Sequence, residues 1–388
     1  MVTFTAEHVA LRKLVREFSE KEIGPYADEW EANGSFPAHE LFPKLAELGL
    51  LGLEYDPAYG GQGADHLCTV ILHEELGRVG PAGVALGIGI QTDMATPSLH
   101  RYGSEELKQR YLVPALNGEA VCAVAVTEPD SGSDVTALTT RAVRDGDDWV
   151  INGSKAYITN GTQADWICLL ARTSDKPAGG AGGGGVGLSQ IIVPADTPGF
   201  RVSRKLDKLG MRSSDTAELT FTDARVPVGN TIGEIDLGFY QQMSQFQNER
   251  LALSYAAVGG METALTRTAD YLKTRKVFGK PLIDNQHLAF TLAELSARLD
   301  VLRHYNYAAA EAYIRGEDVN RFATVGKLEA GRLARDIAAT CLQFHGAIGY
   351  MEEMWTARYF RDSPVWSIGG GADEVMLYVL SRLDGYHA

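Results

Sequence analysis

Four cysteines in 388 residues (Cys68, Cys122, Cys168 and Cys341) are too few and too widely spaced for a disulfide framework. No CxxC pair offers a zinc site. No stretch reaches the roughly 18 consecutive apolar residues of a membrane span. The opening MVTFTAEHVALRK lacks the charged-then-apolar layout of a secretion signal, so a cytoplasmic protein is expected. Basic residues are also short: 36 Lys and Arg against 50 Asp and Glu leave a net charge of −14. That balance argues against a nucleic-acid-binding face. The nine histidines include no HExxH pair, and as scattered residues they read as structural or surface groups, so no metal is expected. No internal repeat is present.

What the chain does have is the material of a globular protein. Hydrophobic residues make up 45% and charged residues 22%, enough for a sizeable core. At roughly 150 residues per domain the length predicts two to three domains. Three regimes follow one another. Residues 1–120 read as helical: Val9, Leu11, Leu14, Val15 and Phe18 recur at helical spacing after a candidate Thr5 cap, and Leu41, Leu45 and Leu48 do so before Gly49. Residues 121–235 change to short β-branched and aromatic runs with turn residues between them, predicting a small β-barrel or sandwich. In that region Trp149-Val150-Ile151 precedes Asn152-Gly153, a hairpin signal. Residues 236–388 return to strong helical periodicity. Leu251, Tyr255, Val258, Met261, Leu265 and Leu272 mark one long helix, Leu288 to Leu302 a second, and Ile337, Cys341 and Phe344 a third. Long helices with short connections predict a four-helix bundle.

Gly182, Gly184 and Gly187 satisfy GxGxxG, but the residues that follow, Leu188 to Val193, pattern as a strand. A dinucleotide fingerprint opens a helix, so the tract reads as a hairpin loop. Val124 to Asp134 (VAVTEPDSGSD) is different. It is rich in hydroxyls and free amides that can donate to ring nitrogens, carbonyls or phosphates. Lys155 to Gly161 (KAYITNG) places an aromatic beside a hydroxyl, a pairing that can flank a planar ring.

These segments occur in order with PSLHRYGSEELK (97–108), KLGMRSSDT (208–216), RKVFGKPL (275–282), QFHGAIGY (343–350) and Arg361-Asp362. Together they resemble the acyl-CoA dehydrogenase family over about residues 5–385. The resemblance implies an α+β multidomain fold: an N-terminal α-helical domain, a central β-barrel domain and a C-terminal four-helix bundle. It implies FAD as cofactor. The flavin ring would lie against Val124, Val126, Thr127, Gly132, Ser133, Tyr157, Ile158 and Thr159. Ala372 and Glu374 would lie near it from the tail. Arg275 and Phe278 would reach the FAD of a neighbouring subunit, Gln286 would also bind the cofactor, and Gln343, Phe344, Gly346 and Ala347 would supply amides to the adenosine diphosphate part of FAD. The implied reaction is α,β-dehydrogenation of an acyl-CoA to the trans-2-enoyl-CoA, with proton removal by a carboxylate and hydride transfer to flavin N5. The implied partners are electron-transfer flavoprotein and further copies of the chain, in a homotetramer.

The catalytic base is where this chain departs from many members. Their glutamate lies in a YEG(T/S) stretch near the C-terminus. Here the matching run is Ser367-Ile368-Gly369-Gly370-Gly371-Ala372, with Gly370 at the glutamate position. Isovaleryl-CoA and long-chain members carry the base on a bundle helix before Arg-Leu, and this chain has Asn248-Glu249-Arg250-Leu251 there. Glu249 is therefore the expected base, and Gly370 would offer its N–H to the thioester oxygen. Ser133, Gln247, Arg250 and Gly371 would border the substrate. The bland alternative for Glu249 is a solvated carboxylate near a helix start. Ala372 replaces a hydroxyl residue that often contacts FAD, and Gln247 replaces an Asp of the CoA channel. An acyl-carrier-protein thioester, an oxidase using oxygen, and a flavin-binding homologue without catalysis remain as competing readings.

Overall fold

The computed structural model describes residues 2–175 and 187–386. Helix α1 (Ala6–Glu22) opens at Thr5. The Thr5 hydroxyl accepts from the His8 N–H at 3.3 Å, and His8 Nδ1 accepts from the Thr5 N–H at 3.2 Å, a reciprocal cap. Val15 and Phe18 point into the core, whereas Val9 is exposed. Short helices α2 (Ala27–Asn33) and α3 (Ala38–Glu47) follow, then α4 (His66–Arg78) and α5 (Ala82–Gly89). After α5 the chain widens into a π-helical segment, Ile90–Ala95, before α6 (Pro97–Tyr102). A second π segment, Lys108–Leu112, lies between α7 (Glu105–Leu107) and α8 (Val113–Leu116). A proline, Pro97 or Pro114, stands two residues after each π segment. Its missing N–H frees a carbonyl in the preceding turn, which the wider turn accommodates.

The sheet comprises β1 (Cys122–Ala125), β2 (Arg141–Asp145), β3 (Asp148–Thr159), β4 (Trp166–Arg172), β5 (Leu188–Pro194), β6 (Phe200–Lys205), β7 (Thr216–Pro227) and β8 (Thr231–Ile232). Its order is β6-β7-β3-β2-β4-β5-β8, with β1 parallel to β4. Among the described residues no ladder joins β6 to β8, so the expected barrel is an open sheet. Trp149, Ile151, Ile167, Leu169, Ile191, Leu219 and Phe221 fill its core. Leu188 to Val193 form β5, as their pattern predicts. Of the glycine-rich tract only Gly187 is among the described residues.

One expectation fails here. Asn152-Gly153 is not a hairpin turn but a bulge inside β3, where the register with β7 shifts. The turn comes earlier, at Gly146. A Cβ on Gly153 would lie 2.5 Å from Thr140 Oγ1 and 2.7 Å from Thr140 Cα. The glycine therefore serves close approach of a neighbouring segment. Asn152 holds the bulge by exchanging two 2.9 Å hydrogen bonds with Asp223.

The helical third part contains α9 (Gly238–Thr274), a small hairpin of β9 (Lys276–Val277) and β10 (Lys280–Pro281), α10 (Gln286–Ile314), α11 (Asn320–His345), α12 (Trp355–Asp362) and α13 (Asp373–Leu383). Val258, Met261, Leu265, Leu272, Leu299, Leu333 and Ile337 share one core. No helix among the described residues is long and apolar enough to cross a membrane. All four cysteines are free.

Helix α4 crosses α9 at backbone contact. A Cβ on Gly77 would come 2.1 Å from the Ala256 carbonyl oxygen, and one on Gly259 would come 1.9 Å from that of Glu74. These are backbone atoms and cannot step aside. In an isolated helix Ala is preferred to Gly by about 1 kcal/mol. At this crossing the sign reverses: Gly259→Ala is expected to lower stability by about 1–3 kcal/mol, measured as a drop in the urea midpoint. The crossing matters because it fixes α9 against the helical first part, and α9 carries the candidate base.

Candidate active site

Glu249 lies well inside α9, about three turns from its start, not at the helix end. Its side chain is buried, and no ion-pair partner stands beside it among the described residues. Its Oε1 accepts long hydrogen bonds from Gln245 Nε2 at 3.3 Å and Gln242 Nε2 at 3.4 Å. Burial pushes its pKa from 4.5 up to about 7, and the charge of Asp93 adds to this. The Gln245 amide, the Arg250 guanidinium and Gln242 pull the other way. The solvated-helix reading of Glu249 is thereby excluded. A carboxyl poised near neutrality in a dry site is suited to take and release a proton.

Arg250 is buried too, and its Nε donates to the Gly370 carbonyl at 3.4 Å. That contact brings the tail loop to the segment holding Glu249. Gly370 has φ +66, and a Cβ there would lie 2.6 Å from Leu253 Cδ1. A side chain at 370 would be strained by the backbone and would press on α9 at the turn after the base. The Gly371 carbonyl is held by the Lys327 ammonium. Among the described residues the Gly370 N–H has no backbone acceptor. Glu374, expected near the flavin, is solvent-exposed in the first turn of α13.

Family models of the acyl-CoA dehydrogenase N-terminal, middle and C-terminal domains match residues 5–119, 123–224 and 236–383. The chain belongs to the acyl-CoA dehydrogenase family. An acyl-CoA dehydrogenase of Bacillus subtilis is 35% identical over 378 residues, covering 97% of this chain and 98% of that protein. The mitochondrial long-chain specific acyl-CoA dehydrogenase of Sus scrofa is 35% identical over 98% of this chain and 86% of its own. The crystal structure of an acyl-CoA dehydrogenase from Geobacillus kaustophilus superposes with a TM-score of 0.93 at 38% identity, covering 98% of each chain. The chain is an oxidoreductase of this family, with FAD as its cofactor.

The residues present fit a flavin. Tyr157 is held at φ +61, rare for an aromatic residue, and its ring stands two-thirds exposed (66%). Gly132 and Ser133 are exposed in the adjoining loop, and among the described residues their amides have no backbone acceptor and are free to donate. Val124, Val126, Thr127 and Thr159 are half-buried beside them. Ile158 differs: its side chain is in the sheet core, so only its backbone can face a cofactor. The loop is braced from below. Lys155 Nζ, buried, donates to the Val126 carbonyl at 2.8 Å and to Glu128 Oε1 at 3.0 Å.

A second group of expected residues gathers at the far end of the bundle. Arg275 follows α9, Gln286 opens α10, and Gln343 to Ala347 close α11. Tyr271 stacks on His345 with ring centroids 4.3 Å apart, tying two of these ends together. Phe278 sits at the hairpin tip at φ +52, fully exposed, next to exposed Arg275. Phe344, half-buried, packs against the bundle core. Glu249 and Arg275 are 26 residues apart on α9, about 39 Å along its axis. One protomer does not bring the two groups together. Gln247 is half-buried one residue before Asn248, and Ala372 precedes α13 without a side-chain cap.

A cleft of about 890 Å³ is lined by Arg212, Arg267, His345, Trp355, Arg358 and Arg361, and Glu249 is not part of its lining. A smaller cavity of about 190 Å³ is walled by Thr92 and Asp93 of the first π segment, with Asn248. The chemistry follows the buried carboxyl and not cavity size. Sequence reasoning missed Gln242 and Gln245, the amides holding Glu249. On a helix they read as ordinary surface polar residues.

Proposed function

We propose that this acyl-CoA dehydrogenase oxidises the Cα–Cβ bond of an acyl-CoA to a trans-2-enoyl-CoA, with Glu249 as the base. The observation carrying the proposal is that Glu249 is a buried carboxyl with no direct ion-pair partner among the described residues, poised near pH 7, on a helix whose Arg250 contacts the tail loop at Gly370. FAD, when bound, would supply the hydride acceptor for the β-hydrogen. Glu249 takes the α-proton, so the two hydrogens lost by the substrate are both accounted for. The Gly370 N–H would donate to the thioester oxygen, where charge develops as the α-proton leaves. Arg250, whose own charge burial disfavours, would steady the ionised form of Glu249 between turnovers. Gln247, Ser133 and Gly371 would border the thioester and its carrier. Before the next turnover Glu249 must return its proton to solvent.

Phe278 and Arg275 support assembly. A fully exposed aromatic in a left-handed conformation gains nothing in an isolated chain. It would be stabilised against the FAD of a neighbouring subunit, with Arg275 supplying a planar fork to the pyrophosphate. A homotetramer with electron-transfer flavoprotein as acceptor is the arrangement the family resemblance favours.

The test is an anaerobic panel of straight and branched acyl-CoAs, read at the flavin absorption band. Bleaching by at least one acyl-CoA is expected, with slow reoxidation in air and fast reoxidation by electron-transfer flavoprotein. Fast reoxidation by air would instead mark an oxidase. Bleaching only by acyl-carrier-protein thioesters would move the substrate class, and none at all would leave a non-catalytic flavin-binding protein.

A further inference from the structure

Glu249 is gripped by one oxygen only. Both amide donors, Gln242 Nε2 and Gln245 Nε2, reach Oε1, and among the described residues no donor reaches Oε2. Residues 242, 245 and 249 share one face of α9. Each amide is in turn oriented from another part of the molecule. Gln245 Oε1 accepts from Ser98 Oγ of α6 at 2.6 Å, and Gln245 Nε2 also donates to the Met94 carbonyl in the first π segment. Gln242 Oε1 accepts from Gln190 Nε2 of β5 at 2.9 Å. Gln242, Gln245, Ser98 and Gln190 are all buried. Two arms, one from the N-terminal helices and one from the sheet, thus converge on one carboxylate oxygen.

We infer that Gln242 and Gln245 are positioning residues for the base: they pin Oε1 and leave Oε2 as the oxygen that takes the α-proton. The inference rests on the proposed role of Glu249. A glutamate has three rotatable side-chain bonds, and a proton transfer needs one orientation. An amide whose carbonyl is already engaged can present only its NH₂ edge, so each arm fixes the polarity of its contact. Donors to the ionised form favour it over the neutral form. They act against the other groups facing Glu249. Asp93 of the π segment disfavours the charge and Arg250 of α9 favours it. Cys168 of β4 stays a neutral thiol, pushed up to about 12 by burial and by Glu249. Burial, and with it the charge of Arg250, disfavours the ammonium of Lys327 on α11.

The experiment uses the FAD-loaded enzyme and the acyl-CoA that bleaches it fastest. In Gln245→Met and Gln242→Met, side chains of similar length without donors, the midpoint of the pH dependence of anaerobic flavin reduction should move up by about one unit. Ser98→Ala, which loosens one arm without touching Glu249, should move it the same way by less. A readout without turnover is the infrared carboxyl band of Glu249, assigned by its loss in Glu249→Gln. It should persist to higher pH in the Gln variants. If Gln245→Met fails to hold FAD, Ser98→Ala and Gln190→Met carry the same test. Unchanged midpoints in both readouts, with Glu249→Gln inactive, would overturn the positioning role and leave the base intact. An active Glu249→Gln would overturn the base and this inference with it.

Discussion

Glu249→Gln should keep its FAD, lose flavin reduction by about 10³-fold or more, and become more heat-stable at pH 8. General-base work accounts for about 10²–10⁴-fold in rate, and Gln cannot take a proton. The stability gain follows from the same burial. The carboxyl is held at about 7 when folded, against 4.5 when free. Below pH 4.5 it is neutral in both states and costs nothing. Between pH 4.5 and 7 the unfolded carboxyl ionises while the folded one stays protonated, so the penalty grows to about 3 kcal/mol and is fully present above pH 7. Gln has nearly the same shape, still accepts from Gln242 and Gln245, and carries no charge. The difference in melting temperature between variant and parent should be near zero at pH 4.5 and positive at pH 8. Asp362, also buried and pushed up to about 7, is present in both proteins and cancels. Wild-type bleaching rates in the variant would remove Glu249 from the mechanism.

Lys155→Met should cost about 3–5 kcal/mol and loosen FAD, because it leaves a buried acid without its partner. Glu128 is buried, which alone would raise its pKa. The Lys155 ammonium and the Thr139 and Thr140 donors overcome that and hold it at about 2. Its contribution is present above pH 4.5 and fades as pH falls toward 2. Lys155 also carries the Val126 carbonyl, so its loss frees the segment expected to face the flavin. Urea unfolding and the rise of free-flavin fluorescence measure the two effects. The double variant Lys155→Met/Glu128→Gln should recover much of the stability, since no charge is then stranded. A single variant as stable as its parent would show that the brace is dispensable.

Much of the framework was legible residue by residue. The Thr5 cap needs only a hydroxyl and the next turn's amides. The stripe Leu251, Tyr255, Val258, Met261 needs only helical spacing. Asn152-Gly153 misled because the same dipeptide serves a turn or a close approach, and the nearness of Thr140 decides between them. Phe344 and Ile158 were expected at the cofactor on motif position alone. The Ile158 side chain is buried in the sheet core, and that of Phe344 is half-buried against the bundle core.

The site divides in the same way. The chain order supplies an acid before Arg250 and withholds a side chain at Gly370, and both are covalent facts visible in the letters. The holding of Glu249 is not visible there. Gln190 is 52 residues from Gln242, and Ser98 is 147 residues from Gln245. Only packing brings them together. The acidity of Glu249 likewise belongs to its surroundings: desolvation depends on how much water the three parts of the molecule exclude once they are assembled. The residues by themselves determined which group could be the base. The tertiary structure decided that it is dry, gripped at one oxygen and poised near neutrality, because hydration and hydrogen-bond geometry are properties of space and not of order along the chain.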